Sequence, residues 1–390
     1  MDITIVGAGK TGRGFLGRLL QESGHKVRFI DSNERLVLDL QSAGKVGIRY
    51  FGNSRATTEV LIDAVYHTSN PEGIEMVASS DVVFVAVGAS NLTKVARYLA
   101  GVLAQRDDST KKPLVIITAE NAINPAKKLQ SEINGSLDSR VPFYVTESAI
   151  FCSTIEVEDS SIDIQSEAFD VLPYDPSRVP QNFDELPFLQ VEDNFSLLLT
   201  RKIYTYNCAS ATIAYLGALK GYRLYGEAAN DEDVATLLDV LYTDINTVLC
   251  KKYHIDPAAQ EAFAERSKIK FQNKEILDTV ERNARDASRK LAGDERLIGP
   301  MLLAVEQGLL SHALSIVIAA AIRYAYTHQE SPLKRLLDEG GVTRVLSEIS
   351  GITDQTEIMN LVESYYRQIA AEVPLKQVIA TLLEQDGGNL

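Results

Sequence analysis

MDITIVGAGKTGRGFLGRLL, residues 1–20, decides the fold. Its β-rich residues 2–6 run directly into Gly7, Gly9, Gly12 and Gly14. Phe15, Leu16, Leu19 and Leu20 then recur at helical spacing. Gly7-Ala8-Gly9-Lys10-Thr11-Gly12 matches GxGxxG in the strand–turn–helix setting that gives the motif meaning. Gly7 allows the tight turn, Gly9 lets a pyrophosphate approach the backbone, and Gly12 lets helix and strand pack. The first-turn amides of the helix, with Lys10 and Thr11, then face the phosphates.

Working outward, KVRFID (26–31) reads as a second strand that ends on Asp31. A carboxylate there accepts hydrogen bonds from ribose hydroxyls and repels a 2′-phosphate, so NAD is expected over NADP, with Arg28 and Arg35 nearby as the softening influence. A methyltransferase holding its own nucleotide on the same turn is the rival for this motif alone. Residues 46–66 alternate and suggest an inserted strand pair. DVVFVAVG (81–88), PLVIITAEN (113–121) and VPFYVTES (141–148) are apolar runs of the kind covered on both faces of a parallel sheet. Gly88 and Glu120 end two of these runs at the sheet edge where cofactors lie, and are expected beside the cofactor. Short added strands are expected again within 141–170. From about residue 196 strand signals nearly vanish and helical patterns run to about 385. The fold class is therefore α/β: an N-terminal Rossmann-type doubly wound sheet over 1–195, then a mostly α-helical substrate domain over 196–385.

Composition narrows the function. The chain has 390 residues, 45% hydrophobic and 24% charged, with a formal net charge of −14. So acidic a surface disfavours nucleic acid. Three separated cysteines and an N-terminus that opens on a strand suggest a cytoplasmic setting. The longest late apolar run, residues 309–321, is too short to span a bilayer, so no membrane role is expected. Five histidines in no ligand spacing suggest no metal site.

The segment RKIYTYNCASATIAYLG (201–217) carries the candidate chemistry. On an α-helix Lys202, Ser210 and Asn207 fall near about 0°, 80° and 140°, so all three can look into one cleft. Alcohol oxidation needs a base and a donor for the forming alkoxide. A lysine of lowered pKa and an asparagine amide are suitable groups.

Together with GAGKTGRGFLGRLL, AENA (119–122) and VERNARDASRKLAGDERLIGP (280–300), this segment resembles the polyol-specific long-chain dehydrogenases, the mannitol dehydrogenase family, and most strongly its branch acting on mannitol 1-phosphate. The resemblance spans nearly the whole chain. It implies zinc-independent, reversible hydride transfer between NAD and a sugar alcohol phosphate, with fructose 6-phosphate as the keto form. It also implies Lys202 as general base, with Asn207 and Asn121 stabilising the alkoxide. Ser210 stands where the family has histidine, and Glu147 to Cys152 replace a Val-Asp-Arg-Ile stretch, with Phe151 and Cys152 less polar. These departures keep a free polyol or a sugar acid open as substrates, and also a catalytically impaired NAD-binding homologue. Arg289 and Lys290, with Lys268, Lys270 and Arg296 near in sequence, are the candidate phosphate donors. The alternative is that they pair with Asp286, Asp294 and Glu295. His312 is a distant candidate for the missing imidazole. A monomer or homodimer is expected.

Overall fold

The computed structural model describes residues 1–106, 113–120, 124–136, 141–183 and 185–386. The chain divides into two compact units, Met1–Ser196 and Leu197–Leu390.

In the first unit the strands are β1 (Ile3–Val6), β2 (Arg28–Asp31), β3 (Lys45–Tyr50), β4 (Thr58–Leu61), β5 (Ala64–His67), β6 (Val82–Val85), β7 (Leu114–Thr118), β8 (Phe143–Glu147), β9 (Thr154–Glu156), β10 (Ile164–Ser166), β11 (Leu172–Tyr174) and β12 (Leu189–Val191). Six of them form the main sheet in the order β5-β2-β1-β6-β7-β8, with every pairing parallel. Ile5 aligns with Phe29 on one side and Phe84 on the other. The continuous apolar runs now have their reason. Ile3, Ile5, Phe29, Phe84 and Ile117 enter one core, whereas Val6, Ile30, Val83, Val85 and Ile116 enter another on the opposite face. Helices α1 (Gly17–Glu22), α2 (Glu34–Ala43), α3 (Pro71–Ser79), α4 (Leu92–Leu103) and α5 (Pro125–Ser136) alternate with the strands. Asn33 caps α2 through Leu36 N, and Asn70 caps α3 through Gly73 N ahead of Pro71.

One expectation about added strands is corrected. β3 and β4 are the inserted pair, in a second sheet ordered β4-β3-β10-β9, but Ala64 already begins β5 of the main sheet. The chain changes sheets between neighbouring residues, because Ile62 N donates to Gly44 O and Asp63 N donates to Val27 O. Within the 141–170 stretch β8 is the edge strand of the main sheet, as its apolar run implies, and β9 and β10 are the added strands of the second sheet. Arg13 and Arg18 are fully buried next to the second sheet and its connections. Arg13 Nε donates to Ile162 O at 2.9 Å, and Arg18 pairs with Asp170 at 2.7 Å and Glu22 at 2.8 Å.

The described elements of the second unit are all helices, apart from an isolated bridge between Leu224 and Thr279. Helices Cys208–Leu219 and His312–Thr327 are buried on nearly every side, as their alanine-rich, uniformly apolar sequences require. Among the described residues no helix is long and apolar enough to cross a membrane.

Candidate active site

A candidate nucleotide site lies at the edge of the first unit where β1, β2 and β6 end. Gly7 has a φ of +103°, and a Cβ there would lie 2.3 Å from Ala86 O. A Cβ on Gly12 would lie 1.9 Å from Gly7 O. The protein itself therefore requires both glycines. Gly9 differs, since a Cβ there would meet nothing within 4 Å. Nothing in the chain demands glycine at 9, and it lines an open cavity of about 370 Å³ together with Gly7, Asp31, Asn91, Lys94 and Tyr98. A ligand backbone lying against residue 9 explains the missing side chain, so the residues fit a dinucleotide. Lys10 and Thr11 follow in the first helical turn, where Arg13 N donates to Gly9 O at 2.9 Å.

Asp31 is tied into this turn. Its Oδ2 accepts from Ala8 N at 2.7 Å and its Oδ1 from Asn33 N at 2.8 Å. A carboxylate has about four acceptor positions, so two remain for ribose hydroxyls. Arg28 is engaged with Asp2 at 2.8 Å. Replacing Asp31 by asparagine removes the charge and one backbone acceptor. The preference for NADH over NADPH is expected to fall roughly tenfold or more, measured as the ratio of Kd values in fluorescence titrations.

Gly88 opens the next turn with a φ of +85°. Glu120 Oε1 accepts from Val87 N at 2.6 Å and from Gly88 N at 3.0 Å. Glu120 is buried, and desolvation pushes its pKa up to about 7 although both amides favour the anion. It acts as a brace under the Gly88 turn. Glu120→Ala leaves two amides without an acceptor and is expected to raise the Kd for NADH about tenfold, whereas Glu120→Gln, which keeps an oxygen at the same place, restores most of the affinity.

In the second unit Lys202 begins a π-helical turn, Lys202–Asn207, which corrects the α-helical geometry expected from the sequence. Cys208 N reaches back five residues to Ile203 O. The extra residue in such a turn narrows the angle between Lys202 and Asn207 from the about 140° of an α-helix. The turn is anchored from outside. Gln260 donates to Thr205 Oγ1 at 3.1 Å and accepts from Arg201 Nε at 2.8 Å, and Arg201 lies over the Phe263 ring at 4.4 Å. Gly299 makes room for Tyr204, whose hydroxyl would be 2.5 Å from a Cβ there. Lys202 is only 4% exposed. Burial, and then the charges of Lys270 and Arg296, push its pKa down to about 7. Asn207 is buried as well, and its amide makes no hydrogen bond to a described residue.

Two family models match the chain: the mannitol dehydrogenase Rossmann domain over residues 1–157 and the mannitol dehydrogenase C-terminal domain over residues 196–384. The chain belongs to the mannitol dehydrogenase family of oxidoreductases. The mannitol-1-phosphate 5-dehydrogenase of Caldanaerobacter subterraneus subsp. tengcongensis is 26% identical over 94% of this chain and 98% of its own. Among solved structures, Pseudomonas fluorescens mannitol 2-dehydrogenase, in a ternary complex with NAD and D-mannitol, superposes with a TM-score of 0.82. It is 15% identical, over 98% of this chain and 94% of that one. A substrate-free D-sorbitol dehydrogenase gives 0.72 at 14% identity, over 97% and 95%.

The remaining predicted residues of this mannitol dehydrogenase family member are distributed as follows. Asn121 lies outside the described residues. Ser210 is half-buried, near the start of the helix that follows the π turn. Arg289 is engaged with Asp286 at 2.6 Å and Glu295 at 3.0 Å. Lys290 is buried over the Tyr215 ring at 5.4 Å and donates to the carbonyls of Asn283 and Arg285. Burial, and then Arg296 and Arg289, push its pKa down to about 7. Lys268 pairs with Asp239 at 2.5 Å. His312 holds the Tyr365 hydroxyl at 2.8 Å. Cys152 is buried in the first unit's core, 3.3 Å from Ser166 Oγ, and Phe151 packs on Phe169. Among the described residues no cluster of ligating side chains could hold a metal ion. Sequence reading missed the bracing function of Glu120, the π turn, and Lys94 and Tyr98 in the cavity wall. The last two sit at helical spacing on α4 and carry no motif.

Proposed function

We propose that this chain is an NAD-dependent polyol dehydrogenase that interconverts a sugar alcohol phosphate, mannitol 1-phosphate, and its ketose, fructose 6-phosphate. The observation that carries the reading is Lys202, a buried lysine on a π turn whose surroundings hold its pKa near neutrality. Gly7, Gly9, Gly12 and Asp31 would hold NAD, which when bound would supply the acceptor for the hydride leaving the alcohol carbon. The amine of Lys202, neutral near pH 7, takes the hydroxyl proton, and in the reverse direction its ammonium returns that proton to the carbonyl oxygen. Asn207 offers its amide N–H groups to the forming alkoxide, with Asn121 as the second donor and Ser210 as a further hydroxyl partner. Burial, and then the charges of Lys270 and Arg296, make the neutral amine of Lys202 available without a separate base.

The mannitol-1-phosphate 5-dehydrogenase relative supports the phosphorylated substrate, and the basic cluster at 289–296 gives it chemical sense. The test is NADH consumption with fructose 6-phosphate, fructose and a keto-sugar acid in parallel. A kcat/KM for fructose 6-phosphate at least about a hundredfold above the others supports the reading, because a charge-assisted grip on phosphate contributes about 3 kcal/mol. Equal rates on all three, or none, would discard it.

A further inference from the structure

The guanidinium of Arg296 has unused hydrogen-bonding capacity. Arg296 is 8% exposed. Its Nε donates to Glu295 Oε2 at 3.0 Å, and its two terminal amino groups make no hydrogen bond to any described residue. Glu295 does not neutralise it alone, for the same carboxylate receives Arg289 at 3.0 Å and the Arg296 backbone N at 3.2 Å. Arg289, by contrast, has a second carboxylate in Asp286. Lys202 and Lys290 lie within electrostatic reach of Arg296, and Arg289 shares the Glu295 carboxylate with it. A buried guanidinium whose terminal donors bond no described residue is costly unless an anion completes it.

We propose that Arg296 anchors a phosphate subsite. Its two terminal amino groups grip the phosphate monoester of the substrate as a fork, while Glu295 fixes the guanidinium through Nε. Arg289 serves as a positioning residue for Glu295, and neither Arg289 nor Lys290 is the principal anchor. This rests on reading the chain as a polyol dehydrogenase and adds which residue selects the phosphorylated substrate.

The decisive measurement is the ratio of kcat/KM for fructose 6-phosphate to that for fructose, in the wild type, Arg296→Gln and Arg296→Lys. The ratio is expected to collapse at least thirtyfold in Arg296→Gln. In Arg296→Lys, which keeps the charge and loses the fork, it should fall about five- to tenfold. Inorganic phosphate should compete with fructose 6-phosphate in the wild type, and at least tenfold more weakly in Arg296→Lys. An unchanged ratio in a folded variant overturns the inference, as does a wild type that prefers fructose or fructuronate to fructose 6-phosphate. If Arg296→Gln does not fold, Arg296→Lys and the phosphate competition decide. Failure of the dehydrogenase reading looks different: the wild type would then consume no NADH with any of the ketoses, whatever happens at Arg296.

Discussion

Lys202→Met is expected to lower turnover with fructose 6-phosphate and NADH by ~10²–10⁴, the usual contribution of a general acid–base group, while the Kd for NADH changes little. The pH profile separates a chemical role from a structural one. Because the Lys202 pKa is pushed down to about 7, alcohol oxidation, which needs the neutral amine, should fall about tenfold per unit as pH drops below 7. Ketone reduction needs the ammonium and should fall as pH rises above 7. Both limbs should vanish from the residual activity of Lys202→Met. Stability should move the opposite way to activity. The pKa of Lys202 is about 7 when folded against 10.5 for an ordinary lysine, so between those values the unfolded chain binds more protons and stability rises with pH. The full cost of burying the ammonium is present below pH 7. Methionine removes it, so the gain in Tm should be largest near pH 6 and shrink toward pH 10. A variant that lost turnover and also melted earlier at pH 6 would mark Lys202 as a structural residue.

The second large effect concerns the glycine turn, where two neighbouring alanine substitutions should separate. Gly12→Ala places a carbon 1.9 Å from Gly7 O, a contact that only a backbone shift can relieve. Overpacking of this kind costs about 3 kcal/mol, which lowers Tm by roughly 5–10 °C for a unit of this size. The displaced turn should also weaken NADH binding by ~10². Gly9→Ala meets nothing within 4 Å and should leave Tm unchanged while weakening NADH binding by a comparable factor. Thermal melts and NADH fluorescence titrations on the two proteins provide the check. If Gly9→Ala bound NADH as tightly as the wild type, the cavity beside it would not be the dinucleotide site.

The sequence alone makes the turn legible because its geometry is local. Gly7, Gly9 and Gly12, with Asp31 at the end of the second strand, are read through steric requirements of a few consecutive residues. The apolar runs at 81–88 and 113–121 read equally well as strands covered on both faces. Sheet membership does not read this way. β4 and β5 share one alternating pattern, and the switch between sheets at Ile62 and Asp63 depends on hydrogen bonds to Gly44 and Val27, which sequence periodicity does not register. The π turn is hidden for a related reason, since a change from four-residue to five-residue bonding leaves the apolar pattern intact while rotating Asn207 toward Lys202.

What the linear chain determined was the set of reactive groups and the local frames that hold them: the phosphate-binding turn, the acid after it, and a lysine and an asparagine five residues apart. What the tertiary structure decided was their state. Lys202 is near neutrality because folding strips it of water and brings Lys270 and Arg296 within electrostatic reach. Arg289 is spent on Asp286 and Glu295, while the terminal amino groups of Arg296 bond no described residue. Dehydration and Coulomb energy depend on distance through space, and sequence order does not specify that distance.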